Sequence, residues 1–158
     1  MSAKDVLKLM KSKNIEFVDL RFTDPRGKLQ HLTMDTTIVD EGMLNDGVFF
    51  DGSSIAGWKA INESDMILKP DLSRKVIDPY TSHNTLILFC DILDAVKRDP
   101  YERDPRGIAK KAEAYLKKTG IGDTAYFGPE PEFFVFDVVR IKNDMNETIF
   151  SIDSSECP

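Results

Sequence analysis

Residues 127–136 read Phe-Gly-Pro-Glu-Pro-Glu-Phe-Phe-Val-Phe, so two carboxylates stand directly before a strongly apolar run. A proline disfavours the α region for the residue before it, and we therefore expect Gly128 and Glu130 to be extended. The Phe and Val residues that follow are typical of a strand buried on both faces. Because Pro131 cannot donate a ladder hydrogen bond, the stretch is predicted to begin a strand or to lie at a sheet edge.

The two carboxylates, Glu130 and Glu132, have the spacing of side chains on one face of a strand. In an extended chain, residues i and i+2 point the same way and lie roughly 6.5–7 Å apart. Such a pair suits divalent cations, which lie about 3.5–4 Å apart in two-metal sites. Hard cations such as Mg²⁺ and Mn²⁺ prefer oxygen ligands. A solvated Pro-Glu loop fits the same spacing, so the residues alone leave both interpretations open.

A second motif lies earlier in the chain, where residues 50–58 read Phe-Asp-Gly-Ser-Ser-Ile-Ala-Gly-Trp. Asp51 in this glycine- and serine-rich loop is consistent with an ordinary Asp-Gly turn. Alternatively, its carboxylate binds an ammonium ion and takes a proton from it, which leaves nucleophilic ammonia. Trp58 is the only tryptophan, and it is expected either to pack in the core or to serve an interface.

The two motifs, in this order and at this spacing, resemble the glutamine synthetase family, and its bacterial class I type most. Residues 127–134 resemble the family's first metal-binding strand. Residues 50–58, continuing to Asn-Glu-Ser-Asp-Met at 62–66, resemble its amino-terminal signature. The resemblance extends to about Asp137 and implies an α+β fold. It predicts a β-grasp-like amino-terminal domain at residues 1–100, followed at 101–158 by the first helix and strands of a catalytic domain.

The resemblance also implies a chemistry, namely ATP-dependent ligation of ammonia to glutamate through a γ-glutamyl phosphate. It implies two to three Mg²⁺ or Mn²⁺ ions, with ATP as co-substrate. It assigns Glu132 to the substrate-side metal and Glu130 to the nucleotide-side metal. It assigns Asp51 and Ser54 to an ammonium site on the neighbouring subunit, with Trp58 at the same interface. The implied assembly is a homo-oligomer, a dodecamer of two stacked hexamers.

The family's remaining metal ligands and phosphate-binding arginines come from sequence downstream of residue 158. Neither His31 nor His83 lies where the family has its histidine ligand. We therefore expect the chain to be the amino-terminal portion of a ligase and to be inactive by itself. The alternative hypothesis is a non-catalytic assembly or regulatory module that keeps the intersubunit loop.

Composition excludes several other classes. The net charge is −6 and no basic stripe is present, which argues against nucleic-acid binding. No apolar run approaches the ~20 residues of a membrane span, and the amino terminus lacks a signal-peptide core. Cys90 and Cys157 lack zinc-site spacing, and Cys90 is expected in the core. Two distant cysteines are typical of a reducing compartment, so the sequence predicts a cytoplasmic protein.

Local patterns predict the elements of the amino-terminal half. Residues 15–23 and 29–34 form a hairpin, because the residues at 24–27, Asp-Pro-Arg-Gly, fit a type I turn. His31 is expected to be a surface or cross-strand residue of this hairpin. Residues 66–71 are predicted to be a short strand that ends at a turn, with residues 76–80 pairing nearby.

Further along, residues 85–91 are predicted to form a central strand, because the run is almost continuously apolar. Residues 94–103 are polar and are predicted to be a linker. A helix is then expected between an Asp104 cap and Gly120. Its predicted buried face consists of Ile108, Ala112, Tyr115 and Leu116. Strands are also expected at residues 138–142 and 148–152.

Overall fold

The computed structural model describes residues 1–60 and 63–156. They form two compact units, Met1–Thr124 and Ala125–Pro158, whose last two residues are not described. Asn62, which belongs to the second motif, and Cys157 therefore lie outside the described residues. Within the described ranges, no helix is long and apolar enough to cross a membrane.

The described residues of the first unit form three α-helices and five strands. They are α1 (Ala3–Ser12), β1 (Phe17–Thr23), β2 (Leu29–Asp35), α2 (Glu41–Asp46), β3 (Val48–Asp51), β4 (Asp65–Ile77), β5 (Thr85–Asp94) and α3 (Pro105–Thr119). Short 3₁₀ turns follow β2 at Thr36–Ile38 and β3 at Gly52–Ser54. The second unit contains a two-stranded hairpin, β6 (Val138–Asp144) and β7 (Glu147–Asp153).

The five strands form one mixed sheet in the order β2-β1-β5-β4-β3. β1 runs parallel to β5, and the other three pairings are antiparallel. Helices α1 and α2 share one hydrophobic core with one face of the sheet. The fully buried side chains of this core include Val6, Leu20, Leu44, Leu68 and Leu88. This arrangement confirms the predicted α+β class with a β-grasp domain.

The predicted hairpin is confirmed as β1 and β2. The Gly27 N–H donates to the Asp24 carbonyl oxygen at 3.0 Å, which closes the turn. Gly27 takes a positive φ of 83°, which glycine adopts without steric cost. His31 is a cross-strand residue, because its Nδ1 lies 2.8 Å from Asp19 Oδ1 on β1. Cys90 is buried in the core, as predicted.

The prediction of two separate segments at 66–71 and 76–80 is wrong, because β4 is one strand of 13 residues. The register shifts between Pro70 and Lys75, yet both halves pair with β5. Asp71 Oδ1 accepts from the Ser73 N–H at 3.0 Å within this irregular part. The residues that suggested a turn thus form an irregularity within a continuous strand.

Helix α3 has the predicted ends, with Asp104 as N-cap and Gly120 in the left-handed region at the C-cap. The prediction that one face of α3 is buried is wrong for the described chain, because Ile108 is 53% exposed and Tyr115 is 69% exposed. The helix meets the sheet through charged side chains instead. Arg106 pairs with Asp71 and Asp91, and Lys110 Nζ lies 2.6 Å from Asp91 Oδ2.

In the second unit, the strands expected at 138–142 and 148–152 are confirmed as β6 and β7. The strand expected at 133–136 is not formed, and residues 124–136 as a whole have no regular secondary structure. Phe133 and Phe134 are 81% and 87% exposed. Prolines at 129 and 131 remove two ladder donors, and no partner strand lies beside this segment among the described residues.

Candidate functional site

The second motif forms a tight polar turn at the end of an edge strand. β3 ends at Asp51, whose carboxylate caps the 3₁₀ turn Gly52–Ser54. Asp51 Oδ1 accepts from the Ser53 N–H at 2.8 Å and from Ser53 Oγ at 2.6 Å. The Ser54 hydroxyl donates to Asp51 Oδ2 at 3.3 Å. The loop thus contains the predicted Asp-Gly turn, and the Asp51 and Ser54 side chains are adjacent and exposed.

These hydrogen bonds lower the pKa of Asp51. The largest contribution comes from the Ser53 hydroxyl, followed by the Ser53 N–H, with Ser64 and Ser54 adding smaller ones. The carboxylate is therefore fully ionised at neutral pH. A fixed, ionised and exposed carboxylate beside a serine hydroxyl offers oxygen acceptors and a negative charge to a small cation.

Close packing against β4 fixes the loop next to Asp51. Gly52 is buried, and its N–H donates to the Ser64 carbonyl oxygen at 2.7 Å. A Cβ at Gly52 would lie 2.3 Å from Met66 Sδ and 2.9 Å from the Ser64 carbonyl oxygen. Glycine is required here because the loop backbone touches the neighbouring strand. This contact sets the position of Asp51 relative to the sheet.

Trp58 anchors the other end of the loop in an aromatic cluster. Its ring stacks on Phe22 at 5.6 Å and meets Phe50 and Tyr101 edge-on at 6.1 and 5.8 Å. Trp58 is 5% exposed, so the structure gives it the packing role. Its buried Nε1 has no hydrogen-bond acceptor among the described residues. The interface role stays a prediction.

A cavity of about 320 Å³ lies beside the loop. Asp51 and Ser54 line it, together with residues from β1, β2 and β4. Phe22, Leu32, Phe50, Ile55 and Leu68 give it an apolar wall, and Gln30 and His31 add polar groups. The cavity brings the predicted carboxylate and hydroxyl together at the edge of an apolar surface.

The carboxylates of the first motif lie in the second unit, within the irregular segment that precedes β6. Glu130 and Glu132 are exposed, and neither forms a hydrogen bond or ion pair with another described residue. Phe134 and Phe136 stack at 6.2 Å with 11° between their planes, as expected for i and i+2 in an extended chain. Two unengaged carboxylates fit the ligand chemistry of Mg²⁺ or Mn²⁺.

These two carboxylates do not complete a metal site alone. Within residues 1–60 and 63–156, no group of three or more His, Cys, Asp or Glu side chains is arranged to hold a metal ion. The two histidines of the first unit are paired with carboxylates, His31 with Asp19 and His83 with Glu16.

Sequence reasoning missed one set of residues near the loop. Residues 94–103 were predicted to be a linker, but Tyr101 is half-buried and packs against Trp58. Lys59 Nζ also lies 3.1 Å from Asp94 Oδ2. The one available signal was an aromatic residue inside an otherwise polar stretch, which is weak by itself.

Comparison with known proteins finds two family domains along the chain. The glutamine synthetase β-grasp domain matches residues 14–95, and the glutamine synthetase catalytic domain matches residues 102–157. A glutamine synthetase from Rhizobium meliloti (strain 1021) is 62% identical over 157 residues, which are 99% of this chain and 34% of that protein. The chain thus spans about a third of the length of the curated relatives it matches.

Two further matches extend this comparison. A 3-hydroxylaminophenol mutase from Cupriavidus pinatubonensis is 52% identical over 157 residues, 99% of this chain and 33% of that protein. The cryo-EM structure of Plasmodium falciparum glutamine synthetase superposes with a TM-score of 0.73 at 25% identity, over 99% of this chain and 30% of its own. The matches to both domains, in the expected order, show that the chain belongs to the glutamine synthetase family.

Proposed function

We propose that this chain provides the amino-terminal part of a glutamate–ammonia ligase, in which ATP phosphorylates glutamate and ammonia then attacks the γ-glutamyl phosphate. The observation that carries the proposal is the match to both family domains, combined with the Asp51 turn beside the cavity. By this proposal residues 1–100 are the β-grasp-like domain, and residues 101–158 begin the catalytic domain.

Asp51 and Ser54 are proposed to form half of an ammonium site that acts on the neighbouring subunit. The lowered pKa of Asp51, caused first by the Ser53 hydroxyl, keeps the carboxylate charged and attractive to a cation. Because a lowered pKa also makes a weaker proton acceptor, these hydrogen bonds support binding of ammonium more directly than removal of its proton. Trp58 is proposed to support the loop at this interface.

Glu132 is proposed to bind the substrate-side metal and Glu130 the nucleotide-side metal, each with further ligands from outside this chain. When bound, Mg²⁺ or Mn²⁺ would orient the substrate and neutralise charge on the transferred phosphoryl group. The contribution of this chain is two carboxylates that no other described residue engages. ATP is the proposed co-substrate, and the proposed metal count is two to three.

The proposed assembly is a homo-oligomer of stacked hexamers, a dodecamer, located in the cytoplasm. A homo-oligomer of some kind is required if Asp51 acts across a subunit boundary, and the stacked hexamers come from the family resemblance. The net charge of −6 and the absence of a basic stripe favour small-molecule substrates over nucleic acid.

A non-catalytic module that retains the loop is the second candidate. The observation that favours it is the incomplete metal site of the described residues. Relatives that match over the same third of their length carry two different names, a glutamine synthetase and a 3-hydroxylaminophenol mutase. Because family membership alone does not distinguish these two activities, the assay must measure glutamine itself.

The test is glutamine formation from glutamate, ammonium, ATP and Mg²⁺ by the full-length protein that carries this sequence. We expect activity from that protein and none from the 158-residue chain. Glu132→Ala should weaken metal binding and nearly abolish turnover, because the metal ion that Glu132 would hold neutralises charge in the transition state. Asp51→Ala should raise the KM for ammonium and leave ATP binding unchanged.

Glu147→Ala, an exposed carboxylate change in the same unit, is the control for Glu132→Ala. Metal affinity and turnover that are equal in the two variants would overturn the metal assignment. An unaltered ammonium dependence in Asp51→Ala would overturn the ammonium assignment. Measurable glutamine from the 158-residue chain would show that the metal site needs no further ligands.

A further inference from the structure

The 94–103 segment is a folded turn tied to the end of β5. The Asp94 N–H donates to the Asp99 carbonyl oxygen and the Arg98 N–H to the Asp94 carbonyl oxygen, both at 2.9 Å. Asp94 Oδ1 accepts from the backbone N–H groups of Val96 and Lys97, both at 3.0 Å. Tyr101 returns to the strand, where its N–H donates to the Ile92 carbonyl oxygen at 2.9 Å. These closures give the segment a defined shape.

Three side-chain contacts join this segment to three successive residues of the Asp51 loop, residues 51–60. Arg103 Nη1 donates to the Gly57 carbonyl oxygen at 2.8 Å, and Tyr101 Oη donates to the Trp58 carbonyl oxygen at 2.9 Å. Lys59 Nζ donates to Asp94 Oδ2 at 3.1 Å. It also lies 5.7 Å from the centroid of the Tyr101 ring, within the range of a cation–π contact.

Backbone hydrogen bonds continue from these contacts to Asp51. The Trp58 N–H donates to the Ile55 carbonyl oxygen, and the Ile55 N–H donates to the Gly52 carbonyl oxygen, both at 3.2 Å. Gly57 turns the loop with a φ of 87°. A displacement of Gly57–Lys59 would therefore be transmitted through two short turns to the residue beside Asp51. Gly52 cannot absorb it by moving towards β4, because Met66 already touches it.

We infer that the 94–103 segment is a positioning element of the ammonium half-site, and that Tyr101 and Arg103 hold the Asp51 loop in the form that binds ammonium. This inference rests on the proposed function. Neither residue touches the ammonium ion. Arg103 acts through the Gly57 carbonyl group and Tyr101 through the Trp58 carbonyl group. These two hydrogen bonds hold the Asp51 carboxylate and the Ser54 hydroxyl in position.

The test compares Tyr101→Phe, which removes one hydroxyl and keeps the ring, with Tyr80→Phe as the matched control. Tyr80 is 94% exposed. In the full-length protein we expect Tyr101→Phe to raise the KM for ammonium about three- to tenfold, the range for one lost hydrogen bond. The KM values for glutamate and ATP, and kcat at saturating ammonium, should stay within about twofold. Tyr80→Phe should leave all four unchanged.

Arg103→Ala is a second variant at an exposed position, and it should change the ammonium KM in the same direction. In the double variant Asp51→Ala/Tyr101→Phe, loss of the hydroxyl should add nothing, because Tyr101 acts through Asp51. The inference is overturned if Tyr101→Phe matches Tyr80→Phe in ammonium KM, or if all three substrate KM values rise together. If Asp51→Ala itself leaves the ammonium KM unchanged, the proposed function fails rather than this inference alone.

Discussion

Gly52 shows how a single residue fixes the position of the candidate site. Its Cα lies so close to β4 that a methyl group would meet Met66 Sδ at 2.3 Å and the Ser64 carbonyl oxygen at 2.9 Å. Met66 is fully buried, and the Ser64 carbonyl oxygen belongs to the backbone, so a side-chain rotation cannot remove that second contact. We expect Gly52→Ala to lower the free energy of unfolding of the 158-residue chain by about 1–3 kcal/mol, as overpacked sites do.

Urea unfolding followed by the fluorescence of Trp58 measures this effect, because that tryptophan is buried beside the same loop. Gly122→Ala is the matched control, since its nearest contact is Leu116 Cδ1 at 3.7 Å, an ordinary van der Waals distance. Equal unfolding midpoints for the two variants would show that the loop moves freely away from β4.

At the scale of elements, Asp104 joins β5 to α3. Asp104 is 1% exposed, and its carboxylate accepts from the Arg106 N–H at 3.1 Å and from the Ile92 N–H at 3.2 Å. We expect Asp104→Ala to lower the free energy of unfolding by about 2 kcal/mol, because it removes a helix cap and leaves a buried donor without an acceptor. Asp104→Asn, which keeps one acceptor, should lose less.

The contribution of Asp104 to the free energy of unfolding should depend on pH, because burial raises the pKa of this carboxyl group. Hydrogen bonds from Ile92 and Arg106 only partly oppose it. A carboxyl group whose pKa is raised on folding stabilises the fold most below its unfolded pKa of about 3.9 and loses that contribution as the pH rises. The parent chain should therefore lose stability relative to Asp104→Asn between pH 3.5 and pH 7. Urea unfolding midpoints of the parent chain and of Asp104→Asn at both pH values measure this loss, with Asp123→Asn as an exposed control. A difference between the parent chain and Asp104→Asn that is the same at both pH values would contradict the prediction.

The elements that sequence patterns predicted correctly are those determined by local signals. Turn residues at 24–27 closed the hairpin, and Asp104 and Gly120 set the ends of α3. Elements that depend on distant partners were predicted less well. The amphipathic pattern of α3 did not reveal that Arg106 and Lys110 face the sheet through ion pairs. The apolar run 133–136 was likewise expected to be a strand, yet strand formation requires a partner.

At the scale of the whole molecule, the two units carry different parts of the proposed site. Asp51 and Ser54 lie in the first unit, and Glu130 and Glu132 lie in the second. Both motifs can be recognised in the sequence, because each is a short run with distinctive residues, and the roles assigned to their carboxylates stay predictions. Further metal ligands could not be proposed from the sequence, because neither motif is followed or preceded by a histidine or cysteine pattern of a metal site. The contacts of Tyr101 and Arg103 were also missed, since only the folded chain brings residues 57–59 against residues 94–103.

The central claim is that Asp51 of one subunit serves a site that contains Glu132 of its neighbour. Its most direct test mixes full-length Asp51→Ala and Glu132→Ala subunits after dissociation, and measures glutamine formation at limiting ammonium in the reassembled oligomer. If each site takes one residue from each of two subunits, random mixing places both intact residues at about a quarter of the interfaces. We therefore predict recovery of about a quarter of the parent activity, and recovery no greater than the sum of the separate variants would contradict the claim.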